Sequence, residues 1–195
     1  MYIEVYDVIT VNVLNTDLQL VGIIDLYKSL IWAKRYNAVG DCELYVPATA
    51  ENFLTSTDAT ILYLNNNYPG KKFYVMGTKS FVCQLKEAGI DVTEDYEEGI
   101  FGLVISNDNE LTFKKLYDVS EMLCTRELPY IATNPDYVCP TEFGSVPDCG
   151  SVCDMLYNVS MRRPLVIGKP EPLMPKLAME KWGVDAAHTL VVGDR

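Results

Sequence analysis

The spacing of apolar positions changes character near residue 53. Before it, apolar residues fall in short runs rich in β-branched and aromatic side chains. This predicts strands at 2–5, 8–14, 18–24, 29–32 and 42–46. Asn15-Thr16-Asp17, Asn37 and Gly40-Asp41 supply turn chemistry between them. No long helical period appears there, so the opening reads as a small β-meander.

From Phe53 onward, short apolar runs alternate with segments of helical period. The runs predict strands at 73–76, 102–105, 130–132, 165–167 and 190–192, the last two as buried parallel strands. The helical segments are 58–66 with Thr57 as N-cap, 79–88 closed by Gly89, 111–124, 151–158 and 172–182. Leu116, Val119, Met122 and Leu123 mark the inward face of the third helix. The stretch 135–148, rich in Pro and Gly, reads as a long loop. This βα alternation predicts an α/β fold with a mostly parallel sheet between helices, preceded by the β-rich segment.

Composition supports a globular chain: 49% of the 195 residues are apolar and 22% charged. Sixteen basic against 27 acidic residues leave a formal net charge of −11. With no basic stripe to displace counterions, the balance argues against nucleic acid, and no nucleic-acid partner is expected. A small phosphate ester needs only a local positive site and is not excluded. No apolar run reaches membrane-spanning length and no basic-then-apolar leader opens the chain, so no membrane partner is expected and the expected location is cytoplasmic. Without a secretory signal, the six cysteines read as free thiols. Cys139, Cys149 and Cys153 lie close in sequence, but no Cys-x-x-Cys pair supports zinc, and loop packing is expected. The single histidine, His188, has no evident partner, which argues against Ser-His-Asp or Cys-His catalysis.

The candidate chemistry sits at the ends of two strands. Lys169 follows Leu165-Val166-Ile167-Gly168, and Asp194 follows Val191-Val192-Gly193. Open α/β sheets bind ligands at such carboxyl ends. A lysine there serves a phosphoryl oxygen as a point charge, and an aspartate offers an oxygen to Mg²⁺. Pro170 and Pro172 prepare a helix start, whose N–H groups favour an anion. The competing reading makes Lys169 a solvated turn residue and Asp194 a polar end of the chain.

Gly168-Lys169-Pro170 and Gly193-Asp194-Arg195 resemble the third and fourth motifs of haloacid-dehalogenase (HAD) phosphatases. Ile131-Ala132-Thr133-Asn134-Pro135-Asp136, with Pro140 after it, is similar to the cap signature of their NagD-like, p-nitrophenyl-phosphatase branch. The resemblance runs from about residue 53 to 195. It implies a partial HAD-like three-layer core (53–69 and 161–195) and a cap at about 70–160. It also implies Mg²⁺-dependent hydrolysis of a small phosphorylated metabolite. Lys169 would steady the phosphate, Asp194 would bind the metal, and Asn134 and Asp136 would lie on a cap loop over the substrate. Asn134-Pro135-Asp136 is equally good turn chemistry.

The opening resembles something else. Leu20-Val21-Gly22-Ile23-Ile24-Asp25, Ser29-Leu30-Ile31-Trp32 with Arg35-Tyr36, and the run from Gly40 to Ala48 are similar to the N-terminus of a siphovirus tail-associated structural family. That implies a protein partner bound through residues 1–52, where exposed strand edges pair with another chain.

One expected motif is missing. The resemblance implies a nucleophilic Asp in Asp-x-Asp-Gly, with the second Asp as general acid and base. Asp25-Leu26-Tyr27-Lys28 keeps only the first acid. Asp108-Asn109-Glu110 has the spacing but no following Gly, and the resemblance places it in the cap. The second motif is also absent, and the chain stops one residue past Asp194. Three expectations stay open: an impaired phosphatase, a non-catalytic phage-tail-like interaction protein, or a chimeric fragment with uncovered apolar faces.

Overall fold

The computed structural model describes residues 53–169 and 171–189, together with four strands in the first quarter of the chain. These strands form two antiparallel pairs. β1 (Val11–Leu14) pairs with β2 (Leu20–Ile24), and β3 (Ser29–Ala33) pairs with β4 (Asp41–Tyr45). The strands expected at 2–5 and 190–192 lie outside the described residues.

Residues 54–189 form a separate α/β unit. Its elements run α1 (Ser56–Asn67), β5 (Phe73–Met76), α2 (Lys79–Glu87), β6 (Val92–Thr93), β7 (Gly102–Ile105), α3 (Phe113–Thr125) and β8 (Tyr130–Ala132). Then follow β9 (Val138–Thr141), β10 (Gly144–Pro147), α4 (Cys149–Ser160), β11 (Leu165–Val166) and α5 (Leu173–Trp182). Five strands make one parallel sheet in the order β11-β8-β7-β5-β6.

Both faces of that sheet are covered, which is why its central strands are apolar throughout. Phe73, Val75, Val104 and Ile131 face α1, α2 and α5 through Leu64, Phe81, Leu85 and Leu177. Tyr74, Met76, Leu103 and Ile105 face α3 and α4 through Val119, Met122, Val152 and Leu156. The predicted inward stripe of α3 holds: Val119, Met122 and Leu123 are buried and Leu116 is partly so. Burying each such side chain fully stabilises the fold by about 1.5–3 kcal/mol.

Four details differ from the sequence reading. The N-cap of α1 is Thr55, not Thr57: its hydroxyl accepts from the Asp58 N–H, and Asp58 reciprocates on the Thr55 N–H at 2.8 Å. That capping box starts the helix two residues earlier than the apolar spacing indicates. The expected loop at 135–148 contains the β9–β10 hairpin. Its strands are mostly exposed, so no buried face imposed an alternation to read, and a two-stranded ribbon tolerates Pro140 and Pro147. Of the strand expected at 165–167 as buried, Ile167 is buried but Leu165 is 46% exposed, and among the described residues the strand pairs with β8 alone. Cys149 and Cys153 pack from helix α4 into the core, not in a loop.

Candidate functional site

Strands β8 and β11 run parallel, with Leu165 opposite Ile131 and Val166 opposite Ala132. This register brings the next residues of both chains side by side. The Ile167 N–H donates to the Ala132 carbonyl at 2.9 Å. Gly168 then lies against Thr133 and Asn134, so close that a β-carbon on it would stand 2.8 Å from the Thr133 carbonyl oxygen. The two motifs singled out in the sequence, Thr133-Asn134-Pro135-Asp136 and Gly168-Lys169, therefore meet at the carboxyl edge of the sheet.

Lys169 is exposed on the turn after β11, and among the described residues no carboxylate lies within ion-pairing distance of it. Three residues on, α5 begins behind Pro172 with no side chain capping its N-terminus. A point charge beside uncapped helix N–H groups is an arrangement suited to an anion.

Asn134 is half-buried and Asp136 exposed. The Asn134 amide donates to Asp148 Oδ2 at 3.2 Å and to Asp136 Oδ2 at 3.4 Å. Behind them, the N-terminus of α4 grips the loop. The Gly150 N–H donates to the Asp136 carbonyl at 2.8 Å, and the Ser151 hydroxyl to the Tyr137 carbonyl at 2.5 Å. A crevice of about 110 Å³ runs beside this loop, lined in part by Asn134, Tyr137, Cys153 and Arg163. Arg163 is paired with Asp154 and stacks on the Tyr157 ring at 3.9 Å from its centroid. The Arg163 guanidinium holds the Asp154 carboxyl below the usual carboxylate range. The Cys149 thiol is pushed up by its hydrogen bond to Cys153 and by burial, which makes it a poor nucleophile.

The sequence reading missed two features of this edge. Asp148, buried, caps α4 and orients Asn134. Its signal was present as an Asp directly before an apolar helix, hidden by the loop reading. Lys115 spans two strand ends, donating to the Gly77 carbonyl at 3.1 Å and to Asp108 at 2.8 Å, with Glu94 at 3.6 Å. The Asp108-Asn109-Glu110 acids are thus loop structure: Asp108 also accepts from the Glu110 N–H. Asp194 and Asp25 lie outside the described residues. His188 has a partner after all, with Nδ1 at 2.6 Å from Asp185 Oδ1, though both are well exposed. Among the described residues no three Asp, Glu, Cys or His side chains converge on a metal position. None of the described helices is long and apolar enough to cross a membrane.

Known proteins reproduce both halves of this picture. A HAD-hydrolase-like family model matches residues 166–195, and a Siphovirus ReqiPepy6 Gp37-like model matches residues 10–89, reaching past residue 52 and through α2. An acid sugar phosphatase of Staphylococcus aureus (strain USA300) is 32% identical over 152 residues, 78% of this chain and 58% of that protein. The chain thus spans under two thirds of the length of that relative. The solved p-nitrophenyl phosphatase from Archaeoglobus fulgidus superposes with a TM-score of 0.71 at 30% identity, over 77% of this chain and 57% of its own. The 4-nitrophenylphosphatase from Thermotoga maritima gives 0.66 at 31% identity, over 73% and 53%. The fold of the α/β unit is HAD-like, matching these phosphatase neighbours. Within that class its likeness is to the NagD-like, p-nitrophenyl-phosphatase branch, while the N-terminal segment is similar to the phage family.

Proposed function

We propose that this chain is a HAD-type phosphate-monoester unit that recognises a small phosphorylated metabolite at the carboxyl edge of its sheet and hydrolyses it poorly. The observation that carries the reading is the meeting of the Gly168-Lys169 turn with the Thr133-Asn134 loop, in a chain whose relatives are phosphatases. Lys169 holds a phosphoryl oxygen, and Asn134 and Asp136 contact the remainder of the ester. In this reading 70–160 is the cap and 53–69 with 161–195 the core remainder.

Mg²⁺ belongs to this reading through Asp194, an oxygen donor of the right kind. The described residues supply no converging donor set of their own. In this reading the chemistry is impaired because these 195 residues hold no Asp-x-Asp-Gly and so offer no covalent route through that motif. Electrostatic stabilisation alone must lower the barrier.

The test is p-nitrophenyl phosphate hydrolysis with Mg²⁺ by folded full chain, beside titration with inorganic phosphate. Phosphate binding lost in Lys169→Ala, with turnover slow or absent, supports the proposal. Fast turnover that survives Lys169→Ala, or no phosphate binding by folded wild type, overturns it.

A second reading rests on the Gp37-like match to residues 10–89. It makes the chain a non-catalytic interaction protein that binds another protein through residues 1–52. Wild-type chain that stays monomeric and captures no phage tail protein in a binding assay argues against it.

A further inference from the structure

We propose that Asp148 is a positioning residue for Lys169, acting through Asn134 across the carboxyl edge of the sheet. The proposal rests on the phosphate-binding role given to Lys169 above.

Asp148 is buried at the first turn of α4, and each of its carboxylate oxygens has one task. Oδ1 accepts from the Cys149 N–H at 2.6 Å and starts the helix. Oδ2 accepts from the Asn134 amide at 3.2 Å. Its own N–H donates to the Tyr137 carbonyl at 3.0 Å, tying the far end of the same loop. The loop is therefore held from both sides of Pro135 and Asp136 by one aspartate.

The loop in turn sets Gly168. A β-carbon on Gly168 would lie 3.2 Å from Asn134 Cα and 3.3 Å from Asn134 Cβ, so the two backbones are already in contact. The other side of the loop cannot give way. A β-carbon on Gly150 would stand 2.2 Å from the Pro135 carbonyl oxygen, which means α4 is pressed directly onto the loop. Asn134 is thus a spacer between the N-terminus of α4 and the turn that carries Lys169. Interiors packed at this density transmit a displacement and do not absorb it. An exposed lysine on a short turn takes its place from the backbone beneath it, and here that backbone rests on Asn134.

A helix cap alone would stabilise α4 and have no effect on residue 169. The two roles separate by substitution. Asp148→Ser keeps a capping oxygen but is too short to reach Asn134. Asn134→Ala keeps the Cβ that touches Gly168 and deletes only the amide.

The experiment records the backbone amide resonances of Gly168 and Lys169 in the full chain for wild type and both variants, with thermal melts and a titration with inorganic phosphate. The expected result is a shift of both amides in both variants, with the melt still cooperative. If the amides of Gly168 and Lys169 stay at their wild-type positions in folded Asp148→Ser, the proposal is overturned. Should Asp148→Ser fail to fold, Asn134→Ala decides alone, because it leaves the α4 cap intact. The titration separates the two readings. Wild type that binds phosphate, with several-fold weaker binding in the variants, supports both. Wild type that binds none overturns the phosphate role, while the amide shifts still report whether Asp148 sets the turn.

Discussion

Gly168 packs so closely on Thr133 that any side chain at residue 168 would meet the Thr133 carbonyl oxygen at 2.8 Å. That oxygen belongs to backbone at a strand end and cannot rotate away. Gly168→Ala is expected to destabilise the α/β unit by about 1–3 kcal/mol, the usual cost of overpacking. Gly150→Ala meets the Pro135 carbonyl at a still shorter 2.2 Å and should cost more. Denaturant unfolding of both variants checks the order, and equal stability for Gly150→Ala and wild type would contradict the close packing.

Lys115 and Asp108 form an ion pair whose side chains are only 13% and 1% exposed. Removing one partner leaves the other charge buried. Lys115→Met is expected to cost about 3–5 kcal/mol, and the double variant Lys115→Met with Asp108→Leu markedly less than that. Chemical denaturation of the single and double variants provides the comparison.

The capping box of α1 predicts an acid dependence. Burial raises the Asp58 pKa, but the Thr55 hydroxyl and N–H outweigh it and hold the carboxyl below its ordinary value of 3.8. As pH falls below that ordinary value, the unfolded chain takes up the proton first. The contribution of Asp58 is therefore present above that pH and lost as pH falls through the folded pKa. Melting temperature measured on the acid limb should fall less steeply in Asp58→Asn than in wild type. At neutral pH, Thr55→Ala should cost about 1 kcal/mol.

Among the described residues the buried Tyr130 hydroxyl has no good hydrogen-bond partner, and the Cys153 thiol lies beside it. A thiol is a weak acceptor, so the hydroxyl's desolvation is poorly compensated. Tyr130→Phe is expected to be neutral or to stabilise by up to about 1 kcal/mol. A loss of 2 kcal/mol or more by denaturant titration, on the scale of a buried partner left unpaired, would show that the hydroxyl has a partner that matters.

How much was legible follows the kind of signal each residue carries. Strands β5, β7 and β8 were readable because burial on both faces requires continuous apolar runs: Phe-Tyr-Val-Met, Gly-Leu-Val-Ile and Tyr-Ile-Ala. Helix α3 was readable because one buried face imposes a period. The β9–β10 hairpin was not, because a ribbon with exposed faces imposes no pattern. Lys169 and Asn134 were legible as candidates from their place after apolar strands and from family resemblance. Asp148 was not, because the loop reading hid an Asp directly before an apolar helix, and the Lys115–Asp108 pair was not, because nothing local distinguishes a paired charge from a solvated one.

The amino-acid sequence by itself determined the α/β class, the order of the main elements, the acidic balance of the chain, and the two motif loops. Those properties reside in composition and in periods of two and 3.6 residues, which any local stretch reveals. Only the tertiary structure decided that β11 lies beside β8, and that their loops touch. It also placed the buried Asp148 against Asn134, whose backbone lies close to Gly168. Strand order and backbone contact are long-range pairings, set by which buried faces close on one another, and no single stretch of the chain contains them.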